Sequence, residues 1–352
     1  MLCFFGKKLT RLLFLLLNLL LLLADNRINI FAEDPVQRLL QSISDGCKRR
    51  DIVVYNRVPK TGSSSFQKYI DNLAGHLNFK AYHFGTPPWI ACSEGSSPCK
   101  RKDRPYLRYE LSRLRDRILK FSNGSDAVID YHFAYINFGT QLPLHINMVR
   151  EPISRLISHY NYMRYGLQRR LEDTNLYIHK FGNLTIDECL DLYLQCSCEG
   201  DCQSPYGLNC TRSLCSDLYS GFNSQMMYFC PVDSPACAAK NESSLQAAIR
   251  VLEDKYDVVG VMEKLEDSMK LFQLVLPRYF KGMPKLEHQH VRQAARKTSP
   301  RPSSIQKLRV LNALDLQFYE HVAALLERRL REACTSPAIH QLETLMSPPM
   351  QS

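Results

Sequence analysis

The chain has 352 residues, of which 45% are apolar, so a coreless polymer is excluded and one large α/β domain or two small ones can be filled. Its 45 Lys and Arg against 35 Asp and Glu give a net charge of +10. That excess points to an acidic partner and leaves nucleic acid, a membrane surface and sulfated polysaccharide open.

Lys7, Lys8 and Arg11 precede the apolar run 12–24, LLFLLLNLLLLLA, broken by Asn18 alone. A run of thirteen residues fits a signal-peptide h-region as well as a short spanning helix. The flanking charges place the N-terminus in the cytosol in either case. Leu22 stands where cleavage wants a small residue, which favours an uncleaved type II signal anchor at 12–24 behind a cytosolic tail at 1–11. Residues 25–50, mixed and charged around Pro35, read as a stem. The thirteen cysteines agree with a lumenal location. Without Cys3 they number twelve, and eight crowd one section: Cys189, Cys196, Cys198, Cys202, Cys210, Cys215, Cys230 and Cys237. Zinc is the rival, but there is no pair of C-x-x-C knuckles and no histidine at ligand spacing. Disulfides of unreadable connectivity are therefore expected. Asn123, Asn183, Asn209 and Asn241 each open a glycosylation sequon.

A single lumenal domain over 51–333 is expected, with the cysteine-rich section at 189–237. It begins at Ile52-Val53-Val54-Tyr55, which reads as a buried strand. The chain turns through Asn56-Arg57-Val58-Pro59 into Lys60-Thr61-Gly62-Ser63-Ser64-Ser65, after which Phe66, Tyr69, Ile70, Leu73 and Leu77 repeat at helical spacing. Strand, lysine loop and helix N-terminus together make an anion cradle: backbone N–H groups and the positive end of the helix face the loop, and Lys60 adds charge. The first glycine of an NTPase P-loop is missing. Taken alone, the stretch is also accounted for by a capped βα turn with a solvated lysine.

From His83 to Lys102 the chain is rich in Gly, Pro and Ser, and Cys92 and Cys99 are expected to close a loop there. Leu107, Leu111, Leu114, Ile118 and Leu119 predict a helix over 106–121. Residues 127–131 and 144–149 read as the second and third strands. Glu151-Pro152 opens a helix, with Ile153, Leu156 and Ile157 as its buried stripe and Ser154 and Ser158 on another face. Arg164 to Arg170 form a basic and aromatic cluster, a pattern that is most often a solvated face. A helix over 244–256, a strand over 257–261 and a helix over 263–276 follow. Then come a basic loop over 284–304, one long amphipathic helix over 305–331 and a disordered tail over 334–352.

Tyr55-Asn56-Arg57-Val58-Pro59-Lys60-Thr61-Gly62-Ser63-Ser64-Ser65-Phe66 resembles the 5′-phosphosulfate loop of the heparan sulfate (uronosyl) 2-O-sulfotransferases. Val149-Arg150-Glu151-Pro152-Ile153-Ser154-Arg155-Leu156 resembles their 3′-phosphate motif, I-R-D-P-x-x-R. The likeness extends from about Val53 to Tyr319, with Val259 to Asp267 similar to the family's V-G-x-x-E-x-L-E-D run. The resemblance implies an α/β fold, a P-loop-like parallel sheet flanked by helices. It implies a Golgi enzyme, anchored in the membrane as a single-pass type II protein, that moves sulfate from 3′-phosphoadenosine 5′-phosphosulfate (PAPS) to the 2-hydroxyl of a hexuronic acid in heparan sulfate or a related glycan. A homotrimer is implied as well, and neither a metal nor a nucleic-acid partner is.

Sulfuryl transfer depends on positioning and electrostatics: donor phosphates held, developing charge stabilised, acceptor hydroxyl deprotonated, water excluded. By resemblance Lys60 faces the oxygen bridging sulfate and 5′-phosphate, Thr61, Gly62, Ser63 and Ser64 supply donors, and Arg150 with Ser158 holds the 3′-phosphate. Lys297 and Thr298, in Arg296-Lys297-Thr298, are similar to a late nucleotide-capping R-K-T. Arg57, Arg164, Arg169 and Arg170 are candidates for the acidic acceptor, and Cys230 with Cys237 matches a short disulfide loop of the family. A base working near neutral pH is first sought among histidines. His132 follows the second strand and matches the second histidine of the family's H-G-H-V-x-Y-L-x-F stretch; Asp130 stands in place of the first. Asp130 could orient His132 or be a polar strand end. His145 is expected in the core, and His83 and His159 carry no assignment. Competing readings are a sulfotransferase for dermatan or chondroitin uronate or a glycoprotein glycan, and an inactive lumenal glycan-binding protein. A kinase is disfavoured by the missing glycine.

Overall fold

The computed structural model describes residues 49–83, 113–120, 125–139, 143–166, 184–195, 215–231, 233–282 and 298–335. The expected anchor and Cys92–Cys99 loop lie outside these residues, as do Lys297, Arg169, Arg170, Asn123, Asn183, Asn209 and all of the expected stem but Arg49 and Arg50, which belong to the first strand instead. Five parallel strands form one sheet: β1 (Arg49–Asn56), β2 (Lys80–His83), β3 (Ala127–Tyr131), β4 (Pro143–Val149) and β5 (Val258–Val261), in the order β2-β3-β1-β4-β5. The α/β reading holds. β1 is the central strand, with Tyr55 opposite Asp130 of β3 and Ile146 of β4.

The apolar runs behave as strands covered on both faces. Along β1, Val53 and Tyr55 enter one core and Ile52 and Val54 the other, the two-residue period of an extended chain. The first core is closed by α1 (Ser63–Leu77), α5 (Glu242–Lys255), α6 (Leu265–Val275) and α8 (Ala313–Thr335). The second is closed by Leu114 and Ile118 of a helix at 113–120, α2. In α1, Phe66, Ile70 and Leu73 make the buried stripe; Phe66 packs edge-on to Tyr55 at 5.2 Å and stacks on Phe280 at 6.0 Å. Each such buried side chain contributes on the order of 2 kcal/mol. The helix ends at Asn78, whose φ of 56° supplies the left-handed cap. In β5, Gly260 allows α6 to close in: a Cβ there would stand 2.9 Å from Ser268 Cβ and nearer still to Met148 Sδ.

Lys80–His83 is a strand that the sequence reading does not pick out; four residues, exposed at both ends, give too short a period to read. Two expectations are corrected. The helix expected over 305–331 is two, α7 (Pro302–Leu311) and α8, parted at Asn312. There Asn312 Nδ2 donates back to Leu308 O at 2.8 Å while Oδ1 accepts from Asn223 N at 3.2 Å, a side chain competing with the helical backbone. The tail begins later than expected, since α8 runs to Thr335.

Two further helices, α3 (Pro152–Asn161) and α4 (Ile186–Gln195), form a smaller packed group with the Leu308 region. The Cys189–Cys215 and Cys230–Cys237 disulfides are formed; the resemblance implied the second, and nothing in the sequence distinguished the first. Buried Arg155 fastens α3 to the rest: Nη2 donates to Ser224 Oγ at 2.7 Å and Gly221 O at 2.9 Å, and lies 3.9 Å from the Asp315 carboxylate. Asp315 in turn accepts from the N–H groups of Gln225 (2.9 Å) and Met226 (2.8 Å). Burial raises its carboxyl against the opposing pull of Arg155 and those donors.

Candidate active site

The carboxyl ends of β1, β3 and β4 meet at one edge, where open α/β sheets place their ligands. Asn56 closes β1 and is fully buried: Nδ2 donates to Tyr228 O at 2.8 Å, and Oδ1 accepts from Tyr256 Oη at 2.8 Å and Asn147 Nδ2 at 3.0 Å. This satisfied network is a rigid floor for the loop above it. Lys60 has a φ of 68° and Gly62 one of 77°. Left-handed backbone at a non-glycine costs about 1 kcal/mol and is kept where the surroundings impose it. Gly62 begins α1 with no side-chain cap, so the helix start faces the loop with its positive end. A Cβ at Gly62 would meet Met262 Sδ at 2.7 Å.

Within this cradle the hydroxyls differ. Thr61 is buried and its Oγ1 donates to Val58 O at 2.9 Å, so its one hydroxyl hydrogen is engaged within the loop. Ser63 is buried, whereas Lys60, Gly62 and Ser64 are partly exposed. Lys60 Nζ lies 4.0 Å above the Tyr162 ring, a cation–π contact from the turn that ends α3.

Arg150 leaves β4 and its Nη1 donates to Lys60 O at 3.2 Å, joining motifs ninety residues apart. Its backbone is clamped by Gln225, which accepts from Arg150 N at 3.0 Å and donates to Arg150 O at 2.9 Å. Burial lowers the Arg150 pKa, opposed by Glu263 and Glu151. Glu151 caps α3, accepting from Ile153 N at 3.1 Å and Ser154 N at 2.7 Å, with Pro152 at the first helical position. Ser158 is half-buried on this helix. Its neighbour His159 is buried and pushed down to about 3, by desolvation first and then by Arg155 and Lys60, so it is neutral.

His132 follows β3, and its Nδ1 lies 2.9 Å from Arg57 O. A carbonyl accepts only from a protonated ring nitrogen, so Nδ1 carries the hydrogen and Nε2 is the basic atom. Asp130 is turned elsewhere: Arg57 Nε is 3.0 Å from Oδ1, Gln67 Nε2 3.3 Å, and His83 Nδ1 pairs with Oδ2. Arg57 is buried and its Nη1 donates to Gln67 Oε1 at 2.9 Å. The Arg57 guanidinium is therefore held by Asp130 and Gln67 within the protein. Arg164 is likewise engaged within the protein. It is buried, stacks over Tyr160 at 4.4 Å, and donates to Leu184 O at 3.1 Å. His145 packs in the core against Tyr135 and Tyr256, as expected.

The sequence reading missed Asn161, which pins Thr298 to the end of α3: Oδ1 accepts from Thr298 N (3.0 Å) and Oγ1 (3.1 Å), and Nδ2 donates to Thr298 O (3.2 Å). Nothing short of the fold links positions 137 residues apart. On the resemblance, which gives Thr298 to the donor nucleotide, Asn161→Ala should weaken binding of PAP, the desulfated donor, about tenfold by calorimetry, with kcat at saturating donor nearly unchanged. Asn241 caps α5 by accepting from Ser244 N at 3.1 Å and stays exposed, which leaves its sequon accessible. Among the described residues no group of His, Cys, Asp or Glu is arranged to hold a metal, and no helix is long and apolar enough to cross a membrane.

Comparison with known proteins gives the family. The chain is 26% identical over 311 residues to the heparan sulfate 2-O-sulfotransferase hst-2 of Caenorhabditis elegans, covering 85% of each chain. It is 27% identical over 277 residues to heparan sulfate 2-O-sulfotransferase 1 of Xenopus laevis and of Homo sapiens, covering 76% of this chain and 68% of theirs. Residues 47–321 match the model of the sulfotransferase family, and the chain belongs to that family.

Proposed function

We propose that this sulfotransferase moves sulfate from PAPS to the 2-hydroxyl of an iduronate or glucuronate in heparan sulfate or a related glycan. The observation that carries this reading is the convergence on Arg57–Lys60: His132 grips one carbonyl of the loop and Arg150 another. Base, loop lysine and second cation are thereby held in one frame. The cradle suits an anion, with Lys60 strained beside Gly62 at an uncapped helix start. PAPS supplies a sulfuryl group on a phosphate leaving group. Lys60, Gly62 and Ser64 would bind that end and neutralise the charge that develops there, and Arg150 with Ser158 would hold the 3′-phosphate. His132 Nε2 would accept the proton of the acceptor hydroxyl as its oxygen attacks sulfur. The names of the relatives support heparan sulfate as the acceptor class. The apolar run 12–24 and the cysteine content support a Golgi membrane protein with a lumenal domain, and the resemblance supports a homotrimer.

The test is sulfate transfer from labelled PAPS by the full chain, with heparan precursor, dermatan and chondroitin offered side by side. Label on O2 of a heparan uronate is expected. Label on another position or glycan would move the acceptor assignment. No label with PAP binding intact would make all three acceptors wrong, and no PAP binding would leave a glycan-binding protein.

A further inference from the structure

Asp130 is fully buried, and the reaction as described gives it no part. It lies between Arg57 and Gln67 on one side and His83 on the other. His83 Nε2 reaches Asp71 of α1 at 2.5 Å. Both ring nitrogens of His83 thus face carboxylates, which suits the doubly protonated ring, since a neutral imidazole offers a single N–H. Asp71, His83, Asp130 and Arg57 form a row of alternating sign that sums to zero. Arg57, the last member, also carries the base: its N–H donates to Tyr131 O at 2.7 Å and its carbonyl accepts from His132 Nδ1 at 2.9 Å.

We propose that Asp130 and His83 are positioning residues for His132: the charge row fixes Arg57, Arg57 fixes the His132 tautomer, and the balance keeps a net field off its ring. The inference rests on the reading of His132 as the base. Besides the members of the row, Tyr55 of β1 faces Arg57 and Asp130, and burial keeps its hydroxyl protonated. Desolvation works against charge on His83, but hydrogen bonds to Asp130 and Asp71 outweigh it and raise its pKa. The folded protein therefore holds this proton more tightly than the unfolded chain. The resulting stabilisation is complete below the ordinary histidine value and fades as pH rises through the raised one.

The test is the pH profile of kcat for the full chain at saturating donor, with PAP affinity measured alongside. His83→Gln removes a positive charge from the row and should move the acid limb up by about half a pH unit. Asp130→Asn removes a negative charge and should move it down by about as much. The double variant should return it to the wild-type position, with PAP affinity unchanged throughout. A purely structural pair would lower the melting temperature and leave the limb in place, which overturns the proposal. Should Asp130→Asn fail to fold, His83→Gln decides alone: an upward shift supports the proposal and an unmoved limb overturns it. Retained turnover in His132→Ala is a separate result; it would remove the base itself, and the positioning role with it.

Discussion

Lys60→Ala should lower kcat about a thousandfold while leaving the melting temperature within a few degrees of wild type. The activity loss follows from removing a partly exposed loop cation two residues before the helix start at Gly62, where the proposed reaction develops charge on the donor. The stability result follows from the backbone. Position 60 is left-handed whatever its side chain, and alanine inherits the same strain that lysine bears. Loss of the Tyr162 contact removes about 0.5–1 kcal/mol. Lys60→Gly sharpens the comparison, because glycine relieves the positive φ and should melt no lower than wild type, yet it should be as inactive as alanine. Strain held at a catalytic position and removable without harm to the fold is the signature of a functional constraint. Activity within tenfold of wild type in either variant would remove Lys60 from the phosphosulfate loop assignment. Lys60→Arg should not rescue, since a planar guanidinium on a longer stem does not reproduce a point charge at Nζ.

The parts legible in the sequence share one property: the signal is local. Ile52 to Tyr55 announces a strand because both its faces are buried, and Glu151-Pro152 announces a helix because cap and proline are adjacent. The lysine loop is legible for the same reason. What escaped is long-range. His83 belongs to a four-residue edge strand, and only pairing with β3 places it against Asp130. Asn161 meets Thr298, and Gln225 meets Arg150, through folds of the chain that no spacing encodes. The burial of Arg57 and Arg164 escapes the sequence for a related reason. A basic residue near a binding loop suggests an acidic ligand, but the hold of Asp130 on Arg57 and of the Leu184 carbonyl on Arg164 comes from neighbours distant in sequence. The break at Asn312 shows tertiary hydrogen bonding overriding a helical period that is otherwise continuous.

His132→Ala should lower kcat by two to four orders of magnitude, roughly the range for a positioned general base, and leave PAP affinity unchanged. Two effects are folded into that number, because the same imidazole holds Arg57 O through Nδ1. His132→Asn separates them. Its amide N–H can donate to the Arg57 carbonyl in place of Nδ1, so the loop keeps its grip on β3, but no basic nitrogen faces the acceptor. If His132 served only to hold the loop, asparagine would restore most of the turnover that alanine loses. If it is the base, asparagine should be nearly as slow as alanine and should melt closer to wild type. Its residual rate should also lack the acid limb, since protonation of Nε2 no longer switches the reaction off. Measured together, kcat against pH and the melting temperature assign the two nitrogens of one ring to two tasks, Nδ1 to geometry and Nε2 to chemistry.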